Sequence, residues 1–249
     1  MFSSKAVLII TGSWHLPQHY QKVTSLLQEK GIRTICPALP TNNNAYPPNK
    51  ALHDDVKFIK DIIANEAAAG THMTVVGHSW GGILASAICG EFAVKPSDTK
   101  GGVTNIFYMA AFIPSEYESL AGLFGGKLPP SLTPLVDGTL AFDDPKERFY
   151  NDLSPEEADK AAELLVYSPT NIHYTPISCD TVAWRLVPVS YLICERDTAL
   201  PAFVQEQMVQ KVKGEGYDMH EYRLPASHSP FLSMPREVVE IIAGLVDKY

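Results

Sequence analysis

Hydrophobic and polar positions follow two alternating regimes along most of this chain. Short, unbroken apolar runs recur, and each gives way to a stretch whose apolar positions return every three or four residues. An unbroken run of this length is the pattern of a strand buried on both faces, and the wider spacing is that of a helix with one buried stripe. Ala6–Ile10, Arg33–Cys36, Met73–Val76, Asn105–Ala110, Val189–Cys194 and Met219–Leu224 read as strands. Between them, the spacing predicts a helix over about Gln18–Lys30, with Tyr20, Val23, Leu26 and Leu27 on one stripe and Gly31 as its stop. A second helix starts near Lys50, carries Leu52, Val56, Ile59 and Ile63 on one face, and ends before Gly70. Others follow Gly81-Gly82, span Pro201 to Lys213, and run from Pro235 through Val238, Ile241, Ile242 and Leu245.

Strand–helix alternation of this kind predicts an α/β fold, a mostly parallel sheet of about six strands flanked by helices. The alternation lapses between about Ser115 and Trp184, where Pro, Gly and aromatic residues accumulate. One helix is clear there: Ser154 caps it, Pro155 opens it, Glu156 and Glu157 fill its first turn, and Ala158–Val166 continue it. The expectation is a single domain, residues 1–249, with a helical lid insertion at about 115–184. Leu120, Leu123, Phe124, Leu128, Phe142, Tyr167, His173, Tyr174 and Trp184 could form a lid over an apolar pocket, and ordinary packing of a small lid explains most of them equally well.

Composition narrows the partners. The chain has 249 residues, 45% of them hydrophobic, which supports one sizeable core. Its formal net charge of −8, without basic clusters, argues against nucleic acid. No segment approaches the roughly 20 apolar residues that span a bilayer, and Ala6–Ile10 is too short for the core of a secretion signal. Cys36, Cys89, Cys179 and Cys194 are far apart, with no C-x-x-C pair, and three of them lie in apolar stretches as reduced core residues do. These features predict a cytoplasmic protein without a nucleic-acid or membrane partner and do not fix its oligomeric state; the small-molecule partner is an expectation of the chemistry that follows.

The chemistry concentrates at Gly77-His78-Ser79-Trp80-Gly81-Gly82, a G-x-S-x-G pentapeptide between a strand and a helix. A sharp turn there forces the serine into a strained backbone conformation, and glycines let the helix pass close to the strand. A serine hydroxyl needs a base, and the base needs an orienting group. Where a serine sits on a strand–turn–helix elbow of this kind, the acid and then the histidine follow it along the chain, each expected past the carboxyl end of a strand. Asp197, after Val189–Cys194, and His228, after Met219–Leu224, fit that order. Glu195 and Glu116 are rival carboxylates, and His228 could instead cap the final helix. An oxyanion hole needs two backbone N–H groups: Trp80, after the nucleophile, supplies one, and Ser13 or else Trp14, in the loop after the first strand, the other. Gly12, Trp14, His15 and His78 are pocket candidates, His15 at the mouth. His15 and His19 lack the intervening glutamate of a zinc motif and have Pro17 between them, so no metal is expected.

Thr11-Gly12-Ser13-Trp14-His15, the pentapeptide, Asp197-Thr198-Ala199-Leu200-Pro201 and His228-Ser229-Pro230-Phe231 together resemble the α/β-hydrolase superfamily. Within it they are similar to the branch of plant methylesterases and hydroxynitrile lyases and their microbial relatives. The segment from Gly101 to Pro114 is similar to fungal members. The resemblance implies an α/β-hydrolase fold, lacking the two strands that open the full superfamily sheet. It also implies a Ser79–His228–Asp197 triad that works without a cofactor, and a carboxylesterase acting on a small apolar ester, with secondary metabolism as a setting. Lyases of this branch carry threonine where this chain has Gly12 and lysine where it has Ser229, which turns the expectation toward ester hydrolysis. The other readings on this fold are a lyase, a cyclase and a non-hydrolytic ligand receptor.

Overall fold

The computed structural model describes residues 4–248. Six strands form one sheet: β1 (Lys5–Ile10), β2 (Arg33–Ile35), β3 (His72–His78), β4 (Gly102–Met109), and, beyond the hairpin strands β5 (Leu132–Pro134) and β6 (Leu140–Phe142), β7 (Val189–Cys194) and β8 (Met219–Leu224). The sheet order is β2-β1-β3-β4-β7-β8, and every neighbouring pair is parallel. Each predicted strand is present, within a few residues at its ends.

The unbroken apolar runs have a direct cause. Ala6, Leu8 and Ile10 of β1 join one core with Leu52, Ile59 and Ile63 of α2 (Leu52–Ala68) and with Ile83 and Leu84 of α3 (Gly81–Ile88). Val7 and Ile9 point to the opposite core, against Val23 and Leu27 of α1 (Gln21–Glu29) and the helix that closes the chain. Both faces of the strand are therefore dry, and polar alternation has no place on it. The first predicted helix begins as a 3₁₀ turn at Pro17–Tyr20 before α1 takes over.

The chain reverses direction across the sheet between β1 and β3. Crevices at such switch points, beyond the carboxyl ends of the strands, are where open α/β sheets bind ligands. The loop after β1 and the turn after β3 both open there.

The segment between β4 and β7 is richer than its sequence pattern suggests. It holds four short helices, α4 (Leu120–Leu123), α5 (Pro145–Tyr150), α6 (Pro155–Glu163) and α7 (Thr170–Tyr174), and the antiparallel β5–β6 hairpin. Only α6 was legible, because the other elements are shorter than two helical turns and cannot establish a period. After β7 come α8 (Ala202–Gly214), α9 (Pro230–Ser233) and α10 (Pro235–Lys248). Among the described residues no helix is long and apolar enough to cross a membrane. All four cysteines are free.

Candidate active site

Ser79 occupies the turn between β3 and α3 with φ +51°, in the left-handed region that a residue with a side chain adopts only at a cost. The surrounding glycines make room for this turn. A Cβ on Gly77 would lie 2.9 Å from the Gly81 carbonyl oxygen, and one on Gly82 would lie 2.5 Å from that of Phe112. Ser79 and His228 both line a cavity of about 750 Å³ between the sheet and the insertion. No hydrogen bond joins Ser79 Oγ to His228. Such contacts often tighten only when substrate is bound.

Asp197, and neither Glu195 nor Glu116, is the partner of His228: His228 Nδ1 donates to Asp197 Oδ2 over 2.7 Å, and both side chains are buried. This fixes the ring so that Nε2 carries the lone pair. Glu116 is engaged elsewhere, by Arg185 at 2.9 Å. The acceptor capacity of Asp197 is well used. Its Oδ1 takes the N–H groups of Ala199 and Leu200, at 2.8 and 2.7 Å, and its Oδ2 takes Gln205 Nε2 at 3.1 Å as well as His228.

Sequence reasoning did not find Gln205. It lies fully buried in the first turn of α8, where it accepts from the Cys194 N–H at 3.0 Å and donates to the Leu200 carbonyl at 2.6 Å. Its only sequence signal is an amide on the apolar face of a helix. Gln205→Leu would leave a buried N–H and a buried carbonyl unpaired and remove a donor from Asp197. The expected result is a loss of about 3 kcal/mol in urea unfolding and a fall in kcat of roughly tenfold. An unchanged kcat would show that Gln205 does not position Asp197.

The loop after β1 is held from three sides. Asn42 Nδ2 donates to the Gly12 and His15 carbonyls, each at 2.9 Å, bracketing the Ser13-Trp14 turn. Its neighbour Thr41 is anchored by N–H and hydroxyl donation to Asp55 of α2, whose carboxyl burial pushes up to about 6. Gly12 N–H donates to Tyr20 Oη at 3.1 Å, and Tyr20 O–H donates to His78 Nδ1 at 2.7 Å. His78 Nε2 in turn donates to the His228 carbonyl at 3.0 Å. Trp14, with φ +65°, donates its indole N–H to the Leu140 carbonyl in the insertion. Held in this way, the Ser13, Trp14 and Trp80 backbone N–H groups have no acceptor among the described residues.

Of the pocket candidates, Trp14 lines the cavity, whereas Gly12, His15 and His78 do not. The reason is depth. A Cβ on Gly12 would meet His78 Nδ1 at 3.0 Å and Ser79 Cβ at 3.1 Å, so Gly12 serves close packing behind the elbow. His15 is not at the mouth. It is buried, with Nδ1 donating to the Ser13 carbonyl and Nε2 accepting from Tyr150. Burial, reinforced by neighbouring imidazoles, holds both His15 and His78 well below the usual histidine range. Leu120, Leu123, Phe124, Leu128, Phe142 and His173 of the insertion line the cavity; Tyr167 and Tyr174 are exposed, and Trp184 belongs to the core. Among the described residues no cluster is suited to hold a metal ion.

Comparison with known proteins agrees with the fold. A model of the alpha/beta hydrolase family matches residues 7–241. The chain belongs to that family. It is 31% identical over 242 residues to the alpha/beta hydrolase nvfD of Aspergillus novofumigatus, covering 95% of this chain and 94% of the relative. Methylesterase 7 of Arabidopsis thaliana is 24% identical, covering 99% of this α/β hydrolase and 98% of the plant protein. The crystal structure of a pyrethroid hydrolase from Sphingobium faniae JZ-2 superposes with a TM-score of 0.77 at 23% identity, covering 98% and 97% of the two chains, and shares the fold. The protein is thus an α/β-fold hydrolase.

Proposed function

We propose that this hydrolase is a cofactor-independent serine carboxylesterase that cleaves an apolar ester through an acyl-enzyme. The observation that carries the reading is Ser79 in a left-handed elbow, sharing a cavity with a histidine locked to a buried aspartate at 2.7 Å. In this reading His228 Nε2 takes the Ser79 proton as Oγ attacks the ester carbonyl. Asp197 holds the tautomer and stabilises the imidazolium. Trp80 N–H and Ser13 N–H receive the developing oxyanion, and Trp14 N–H stands beside them. His228 then gives its proton to the departing alcohol, and water, activated by the same nitrogen, releases the acid. Methylesterase 7 and a carbendazim hydrolyzing esterase from a Nocardioides strain, among the relatives, carry ester chemistry in their names.

The cavity changes one expectation. About 750 Å³ lies well within the range that holds drug-sized ligands, so the cavity has room for an ester with a larger apolar body than the small one expected. Phe112, Leu120, Phe124, Leu132, Phe149 and Met208 are among its walls. Ser229, next to His228, is uncharged and offers no cation to a cyanide leaving group. The same reading takes the chain as one domain with the insertion as its lid. It also places the protein in the cytoplasm, where four unpaired cysteines are at home.

A fluorophosphonate tests the assignment. Peptide mass spectrometry is expected to find one adduct, on Ser79, appearing at the rate at which ester hydrolysis is lost. Hydrolysis that survives complete labelling would rule the acyl-enzyme out.

A further inference from the structure

A second serine–histidine contact faces the same cavity. Ser13 Oγ lies 3.1 Å from His173 Nε2, both residues line the cavity, and both are almost wholly buried. None of the steps above uses either side chain. The direction of the hydrogen bond follows from the far side of the ring. His173 Nδ1 stands 3.1 Å from the Pro169 carbonyl, an oxygen that can only accept, so Nδ1 carries the hydrogen. Nε2 is therefore an acceptor, and Ser13 O–H must donate to it. Burial pushes His173 down to about 4, so the ring stays neutral and the direction does not reverse near neutral pH. The ring is also clamped, its centroid 5.0 Å from that of Trp80 and 5.7 Å from that of Trp14.

Ser13 Oγ has spent its only hydrogen on His173 and keeps lone pairs for a donor. Such a serine differs from a freely rotating hydroxyl, which can serve donors and acceptors alike. Its backbone N–H, three bonds away, is a proposed oxyanion donor. A substrate group that reaches Oγ while the carbonyl oxygen rests on that N–H is carried one or two carbons from the carbonyl. We infer that Ser13 and His173 form a specificity subsite for a hydroxyl group on the α or β carbon of the acyl part, so that the preferred substrates are hydroxy esters. This inference rests on the esterase reading and adds the substrate class to it.

The test uses methyl esters of 3-phenylpropanoic acid bearing hydrogen, hydroxyl or methoxy at carbon 2 or carbon 3, with the released acid measured by chromatography. Methoxy matches the electron withdrawal of hydroxyl but cannot donate, so the hydroxy/methoxy ratio of kcat/KM isolates the hydrogen bond. The wild-type protein is expected to prefer the hydroxy ester at one of the two positions by about tenfold or more. That ratio should fall to within about threefold in both Ser13→Ala and His173→Leu. Alanine retains the backbone N–H, so the ratio can be read even if overall turnover changes. Equal rates for hydroxy and methoxy esters in a wild-type protein that hydrolyses both would overturn the inference and leave the esterase reading standing. A preference that survives Ser13→Ala would overturn the assignment to this subsite. If no ester of the series is cleaved and Ser79 resists the fluorophosphonate, the esterase reading falls, and the inference with it.

Discussion

Ser79→Ala is expected to lower ester turnover by roughly 10⁴-fold or more while the protein stays folded. The two halves of that statement have separate origins. In the proposed mechanism the activity falls because the cavity retains its base and its N–H donors but loses the atom that forms the covalent bond; what remains is binding and oxyanion stabilisation. The fold survives because Ser79 Oγ makes no hydrogen bond that holds the elbow. The bonds that do hold it are backbone ones, from Ser79 N–H to Met109 and from Gly82 and Phe112 N–H to Ser79, and alanine keeps all three. Urea unfolding should therefore agree with wild type within about 0.5 kcal/mol. A variant that unfolds like wild type and still turns over at more than a hundredth of its rate would remove Ser79 from the chemistry.

Gly81→Ala is expected to do the reverse, breaking the fold through one methyl group. A Cβ at Gly81 would sit 2.2 Å from the Ile10 carbonyl oxygen and 2.9 Å from its carbon. Those atoms belong to the end of β1, a central strand paired on both sides, so they cannot step aside as a flexible side chain would. Relief requires α3 to lift from the sheet, carrying Ser79 away from its partners. The loss is expected to be on the order of 4 kcal/mol or more, seen as a lowered midpoint in urea or as insoluble protein. Gly244 is the control. It is exposed within α10, and an added Cβ meets nothing within 4 Å. Gly244→Ala should gain about 0.5–1 kcal/mol from helix propensity alone. Similar stabilities for the two variants would contradict this account of the elbow.

What the sequence revealed and what it concealed have a common physical reason. Strands such as Val189–Cys194 advertise themselves because burial on both faces writes an unbroken local run. Ser79, Asp197 and His228 were readable as candidates because parallel strands send their loops out at one end of the sheet. The contacts of Gln205, Asn42, Tyr20 and His173 were not. Each acts through a partner brought close only by the fold, as Asn42 does across 30 residues to Gly12 and Ser13 across 160 to His173. A polar residue with a distant partner leaves no periodicity to detect. The insertion was obscure for another reason: strands of three residues and helices of four to six are too brief to declare a face.

The relay from Gly12 through Tyr20 and His78 to the His228 carbonyl gears together two loops that lie more than two hundred residues apart in the chain. Each contact in it fixes the proton of the next, so the relay has one polarity and no slack. A shift in the loop proposed to receive the oxyanion is handed on to the loop that carries the proposed base. The two jobs cannot be retuned one at a time, and a change of substrate on this framework has to come from the walls of the cavity.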